Sequence, residues 1–214
     1  RVKLNRLVLN QYWQPASQLY ARASAGLYET MFAGAGGQLM YVPRGAGWTA
    51  DLAVDYLAQR DFANAFKLRD YRVLTGLASA HVELPYDITG TVRAGRFLAK
   101  DTGARFEFKR ELASGVQMGL WFSLTNGRDT TNPGSVAQPY RDKGIFLNVP
   151  FDVISGTHTR RVINAAIAPW TRDVGQMVKS PGDLRTLLER GMLRTLQKPQ
   201  ALTGGGGVDG EEKP

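Results

Sequence analysis

The residues best placed to do chemistry form a row of alternating charge, Arg105, Glu107, Lys109 and Glu111, inside RFEFKRELASGVQMGLWFSLT at 105–125. Side chains alternate across a strand, so these four share one face. Opposite charges in such a row pair across neighbouring strands. They suit either the solvated face of a soluble sheet or the hydrated interior of a β-barrel. Asp51 and Asp55 share one face of another strand candidate. Two acids flanking a sugar bond are what glycoside hydrolysis requires, but such pairs are common by chance. His81 and His158 stand in different segments with no carboxylate at a recognisable spacing. They read as structural or exposed, because a lone histidine is a poor ligand set. Gly34-Ala35-Gly36-Gly37 is no phosphate loop, since neither Lys-Ser/Thr nor a helix start follows. No catalytic residue, metal site or cofactor is expected.

The elements that must position these residues are strands. The stretch 105–125 reads as a hairpin turning at Ala113-Ser114-Gly115. In its first strand Phe106, Phe108 and Leu112 oppose the charged row, with Arg110 as the exception. In its second, Val116, Met118, Leu120, Phe122 and Leu124 oppose Gln117, Gly119, Trp121, Ser123 and Thr125. Strands of this kind recur over 2–13 (with Pro15 as a stop), 19–28, 32–42, 49–59, 71–84, 89–99, 144–151 and 160–168. Their length suits a tilted transmembrane strand, which needs roughly nine to eleven residues. A polar stretch over 126–142 is long for a compact soluble domain and normal for a barrel loop. Aromatics gather near strand ends, Tyr12, Trp13, Tyr20, Tyr28, Tyr41, Trp48, Tyr56, Tyr71, Phe97, Phe151 and Trp170 among them, as in an interfacial girdle.

Ser180-Pro181-Gly182-Asp183 predicts a helix start, with Ser180 as the cap and Pro181 at the first position. Leu184, Leu187, Leu188, Met192 and Leu196 form its apolar face, with Arg185, Arg190 and Arg194 off it. Such a helix packs on a sheet, caps a barrel end or lies on a membrane surface. The expected organisation is a β-barrel region over 1–178, an amphipathic helix over 179–198 and a disordered Gly-rich acidic tail over 199–214.

Composition narrows the class. No run of eighteen apolar residues exists, so no transmembrane helix is expected, but a barrel hides its apolar residues in alternation. There is no cysteine, which removes disulfides and thiolate metal sites. The net charge is +8, yet the basic residues are scattered and no basic block appears, which argues against nucleic acid. The chain opens on Arg1-Val2-Lys3-Leu4, inside a strand candidate with no leader before it, as a fragment of a longer protein would.

Several strings resemble the YjbH-like outer-membrane proteins associated with exopolysaccharide and capsule production. They are GLYETMFAG at 26–34 with Gly36-Gly37, LRDY at 68–71 running to Thr75-Gly76, AGRFLAKD at 94–101, DKGI at 142–145 and PWTRD at 169–173, in that order. The helix and Gly-rich acidic tail depart from the terminal strand with a final aromatic that such barrels carry. The resemblance implies the C-terminal portion of a longer protein. It also implies a β-barrel in the Gram-negative outer membrane, with a non-enzymatic role in polysaccharide export or surface assembly. Its implied partners are outer-membrane lipid, polysaccharide and other exopolysaccharide-secretion proteins.

The fold expectation is therefore all-β, an antiparallel up-and-down barrel or barrel segment of about ten strands with a C-terminal helix. The candidate lumen-facing polysaccharide contacts are Arg22, Asp51, Asp55, Arg93, Arg105, Glu107, Lys109, Glu111 and Trp121. The rival readings are a soluble β-sandwich carbohydrate-binding module, a polysaccharide-modifying enzyme domain, and a purely structural barrel anchoring a further domain.

Overall fold

The computed structural model describes residues 4–61, 66–127, 142–150, 162–167, 174–178, 180, 182–189 and 191. Its strands are β1 (Leu7–Ala16), β2 (Leu19–Leu27), β3 (Phe32–Tyr41), β4 (Trp48–Arg60), β5 (Leu68–Leu84), β6 (Ile88–Arg96), β7 (Thr102–Glu111), β8 (Gln117–Thr125), β9 (Lys143–Pro150) and β10 (Val162–Ile167). Among the described residues one helix follows, α1 (Leu184–Glu189). The ten strands form one sheet in sequence order, each antiparallel to the next. This is the expected up-and-down architecture, in a single sheet rather than the two of a sandwich. Among the described residues no pairing joins β10 to β1, so the sheet is open.

Alternation decides which face is which. Leu7 and Leu9 on β1, Leu52 and Val54 on β4, Leu74 and Val82 on β5, and Val92 on β6 are all exposed. So are Phe108 on β7, Met118, Leu120, Phe122 and Leu124 on β8, and Ile145 and Leu147 on β9. Their neighbours in sequence face the other way and are covered. Arg22, Gln38, Thr49, Asp55, Thr75, Ser79, His81, Thr91, Arg105, Ser123 and Thr125 are buried polar residues of that second face. A soluble sheet buries its apolar face and wets its polar one. This sheet does the reverse along β1 to β9.

The polar face is also concave. Tyr12 on β1 donates to the Gly182 carbonyl at 3.0 Å, while Lys109 on β7 meets Glu189 at 2.7 Å. A flat sheet would set β1 and β7 roughly 29 Å apart, but the six-residue helix spans only about 9 Å and the two residues before it add at most about 7 Å. Side chains stand nearly perpendicular to their sheet and add little along it. The strands therefore curl around the segment that carries α1.

Two apolar clusters sit inside this curve. Tyr28, Phe32, Leu57, Val73 and Leu98 form one, with Val178 against it. Tyr20, Met40 and Leu184 form the other, with Tyr12, Val42, Leu187 and Leu188. The close approach of β4 accounts for a glycine on β3. A Cβ at Gly36 would lie 2.0 Å from Asp55 Oδ1 and 2.5 Å from the Val54 carbonyl oxygen, so only glycine lets β4 come this close.

Several boundaries differ from the sequence expectation. Pro15 does not stop β1; the strand runs on to Ala16, with a register shift between Trp13 and Ala16 that takes up the missing donor. β5 starts at Leu68 rather than 71. β6 ends at Arg96, because Phe97 and Leu98 turn inward and are buried. The aromatic girdle divides: Trp13, Tyr41, Trp48 and Tyr56 face outward, whereas Tyr20, Tyr28 and Phe97 are core and Tyr12 packs beside them. Phe151, His158 and Trp170 lie outside the described residues, as does the tail over 199–214.

Candidate functional site: the polar inner face

Every inner-face residue picked from the sequence lies on the concave side, and the structure gathers them into groups. Asp51 and His81 sit on adjacent strands, with His81 Nε2 2.8 Å from Asp51 Oδ2 and Nδ1 3.0 Å from Thr91 Oγ1. Gln38 donates to Asp51 Oδ1 at 3.1 Å. His81 is thus a buried structural histidine, held on both ring nitrogens. Asp55 takes the hydroxyl of Tyr28 at 3.1 Å, and Tyr28 in turn meets Ser24 at 2.8 Å. Asp51 and Asp55, although on one strand face, serve different partners. Arg22 is buried on the same side, on β2.

Further round the curve one member of the charged row, Glu107, pairs with an opposite charge on the neighbouring strand, and the others find different partners. Arg93 reaches Glu107 across β6 and β7 at 3.4 Å. Glu111 accepts from Gln117 at 2.8 Å. Lys109 leaves the sheet to bind Glu189 of α1. Arg105 stacks over Trp121, 4.9 Å from its ring centre, and meets Asp142 Oδ2 at 3.4 Å. The same oxygen accepts from Trp121 Nε1 at 2.9 Å and from Gln176 Nε2 at 2.8 Å. Asp142, buried just before β9, is therefore a hub for three donors.

These groups are covered by the chain itself. Gly175 donates to Asp101 Oδ2 at 2.8 Å, and its carbonyl accepts from Ser123 Oγ at 3.3 Å and from Arg105 at 3.5 Å. Its φ of +67° favours glycine, and a Cβ there would lie 3.0 Å from Ser123 Cβ. Val178 packs on the first apolar cluster, and α1 fills the second. The helix cap is Asp183, not Ser180: Asp183 Oδ1 accepts from Thr186 N at 3.0 Å. Gln38 spans the joint, donating to Asp183 Oδ2 at 2.8 Å and accepting from Leu184 N at 2.9 Å.

Arg185 takes the position off the leucine face that the sequence assigns it. Yet it is buried, bonding Thr49 Oγ1 at 3.2 Å and Glu189 at 3.1 Å. Burial opposes ionisation of Glu189, but Lys109 and Arg185 outweigh it and hold the carboxyl below its usual range. Gln38 and Gln176 were not singled out from sequence, and Asp142, Asp183 and Arg185 were named there without a part in this network. Their partners stand up to 146 residues away, and no local pattern marks them. Among the described residues no group of three or more His, Cys, Asp or Glu could hold a metal ion.

A sheet with a polar concave face, an apolar convex face and strands in sequence order can be set beside known proteins. A family model described as an exopolysaccharide biosynthesis protein, YjbH, matches residues 1–190. The chain belongs to the YjbH family. Among its relatives is the uncharacterized lipoprotein YjbH of Escherichia coli (strain K12), 31% identical over 183 residues. That match covers 83% of this chain and 26% of the relative, so the chain spans about a quarter of that protein's length. No solved structure matches. The YjbH family is linked by its description to exopolysaccharide biosynthesis.

Proposed function

We propose that this chain is part of a non-enzymatic β-barrel in the Gram-negative outer membrane that serves export or surface assembly of an exopolysaccharide. The observation that carries the reading is the inverted sheet, with exposed leucine, valine, phenylalanine and isoleucine on one face and buried ionic and amide groups on the other. Water would not favour so large an exposed apolar face. Acyl chains would, because every lipid-facing strand position must be apolar while the interior stays polar. No described helix is long and apolar enough to cross a membrane, which says nothing of a β-barrel, whose strands do the crossing. The relative's name as a lipoprotein fits a place in the envelope.

The inner face carries the chemistry that hydroxyl-rich polymers bind: carboxylates, amides, guanidinium groups and the Trp121 ring. Arg22, Asp51, Asp55, Arg93, Arg105, Glu107, Lys109, Glu111 and Trp121 remain the proposed polymer contacts. Lipid, the polysaccharide and other secretion proteins are the proposed partners. Deleting the gene should lower secreted polysaccharide without altering the length or composition of what remains inside the cell. Unchanged secretion would remove the export role, and a chemically altered polymer would favour a modifying enzyme.

A further inference from the structure

Residues 174–178 and 182–189 lie along the concave face, and most of the groups that hold them there are polar. Gly175 is held by Asp101, Arg105 and Ser123, Gly182 by Tyr12, Asp183 and Leu184 by Gln38, Arg185 by Thr49, and Glu189 by Lys109. We propose that this segment is a displaceable plug: it occupies the hydrogen-bonding track of the inner face and must leave before a polymer can run along it. The inference rests on the export reading and adds its regulation.

Three observations support displacement rather than permanent packing. Of the segment's described apolar residues, Leu184 and Val174 are buried, whereas Val178, Leu187 and Leu188 pack on the clusters only partly buried. Amide, carboxylate and guanidinium partners can be exchanged for water or sugar hydroxyls at little net cost, unlike a packed core. A helix of six residues is not stable by itself, so α1 folds only while docked, and leaving the sheet melts it. Undocking therefore yields a pliant strand of chain instead of a rigid obstacle. The residues that α1 covers, among them Gln38 and Thr49, are of the kinds that bind sugar hydroxyls.

The test exploits a chain with no cysteine. Ser79→Cys places a reporter on the inner face, where Ser79 is buried beside Asp51 and Arg93, and Ala80→Cys places a control on the exposed face. The rate of labelling by a water-soluble maleimide is measured on the full-length protein in detergent. It is measured again with Gln38→Ala and Asp183→Ala combined, which removes the amide clamp and the helix cap. Losing two such bonds should raise labelling at the inner cysteine roughly tenfold or more, with the outer control unchanged. Leu184→Ala, which releases α1 by a different contact, should shift the rate the same way. An inner rate that stays at the wild-type value in both release variants overturns the plug, whatever the secretion phenotype. A faster outer control as well would mean general loosening of the sheet and would equally overturn it. Unchanged secretion on gene deletion, with the inner rate raised, would remove the export reading and leave the plug in place.

Discussion

Leu120→Arg is expected to destabilise the protein in lipid vesicles by about 2–4 kcal/mol, the cost of a guanidinium near the midplane of a barrel's lipid face. Leu120 is 46% exposed on the convex face, in the middle of β8, between Phe108 on β7 and Ile145 on β9. Gln117→Arg should cost far less. Gln117 lies on the concave face, where it donates to Glu111, so an arginine there gains a carboxylate partner. Paired unfolding titrations of the two variants in vesicles give the comparison. Equal losses, or a larger one for Gln117→Arg, would contradict both the facing of β8 and the membrane reading.

The second large effect belongs to Asp142. Asp142→Ala takes one acceptor from three donors, Trp121 Nε1, Gln176 Nε2 and the Arg105 guanidinium. Arg105 is 7% exposed and would be left as a buried cation without this carboxylate. Removing one partner of a buried ion pair typically costs roughly 3–5 kcal/mol. Asp142→Asn should cost less, since it keeps an oxygen for Trp121 while losing the charge opposite Arg105. Denaturant unfolding followed by tryptophan fluorescence would register both. A negligible loss for Asp142→Asn would mean that the ion pair contributes nothing, and equal losses for the two variants would mean that the retained oxygen contributes nothing.

How much of this was legible in the sequence depends on the range of the signal. Facing is a two-residue pattern, so the sequence placed Arg105, Glu107, Lys109 and Glu111 on one face and Leu120 on the other, and the structure agrees. Strand order is a nearest-neighbour property, set by short turns over most of β1 to β8 and kept across the longer connections to β9 and β10. Strand ends were less readable. Phe97 and Leu98 have the composition of strand residues but close over the inner cluster, where Leu98 N bonds the Gln176 carbonyl. Pro15 reads as a stop, yet a bulge at the sheet's edge accommodates it.

The inner network was legible only in part. Periodicity gives the direction of a side chain and says nothing about what covers it. The charged row suggested a wet interior, but these side chains are largely covered by the same chain's later residues. Arg185 shows the point most clearly. A helical wheel assigns arginine to the solvent side because it assumes an oily partner surface. Here the partner surface offers Thr49 and Glu83, with Glu83 4.0 Å from the guanidinium, so arginine is buried beside leucine.

The separation between Tyr12 and Gly182 is 170 residues, whereas each strand pairs with its neighbour in sequence. That contrast sets an order of events. Contacts between sequence neighbours close small loops and form early, while distant ones wait until the intervening chain is in place. The docking groups of α1 come from β1, β3, β4 and β7, so its berth does not exist until those strands have zipped and curled. Seating of the C-terminal segment is then the final kinetic phase of assembly and its release the first step of unfolding. A tryptophan introduced by Leu187→Trp should change its fluorescence after strand formation is complete by circular dichroism, and coincident phases would refute that order.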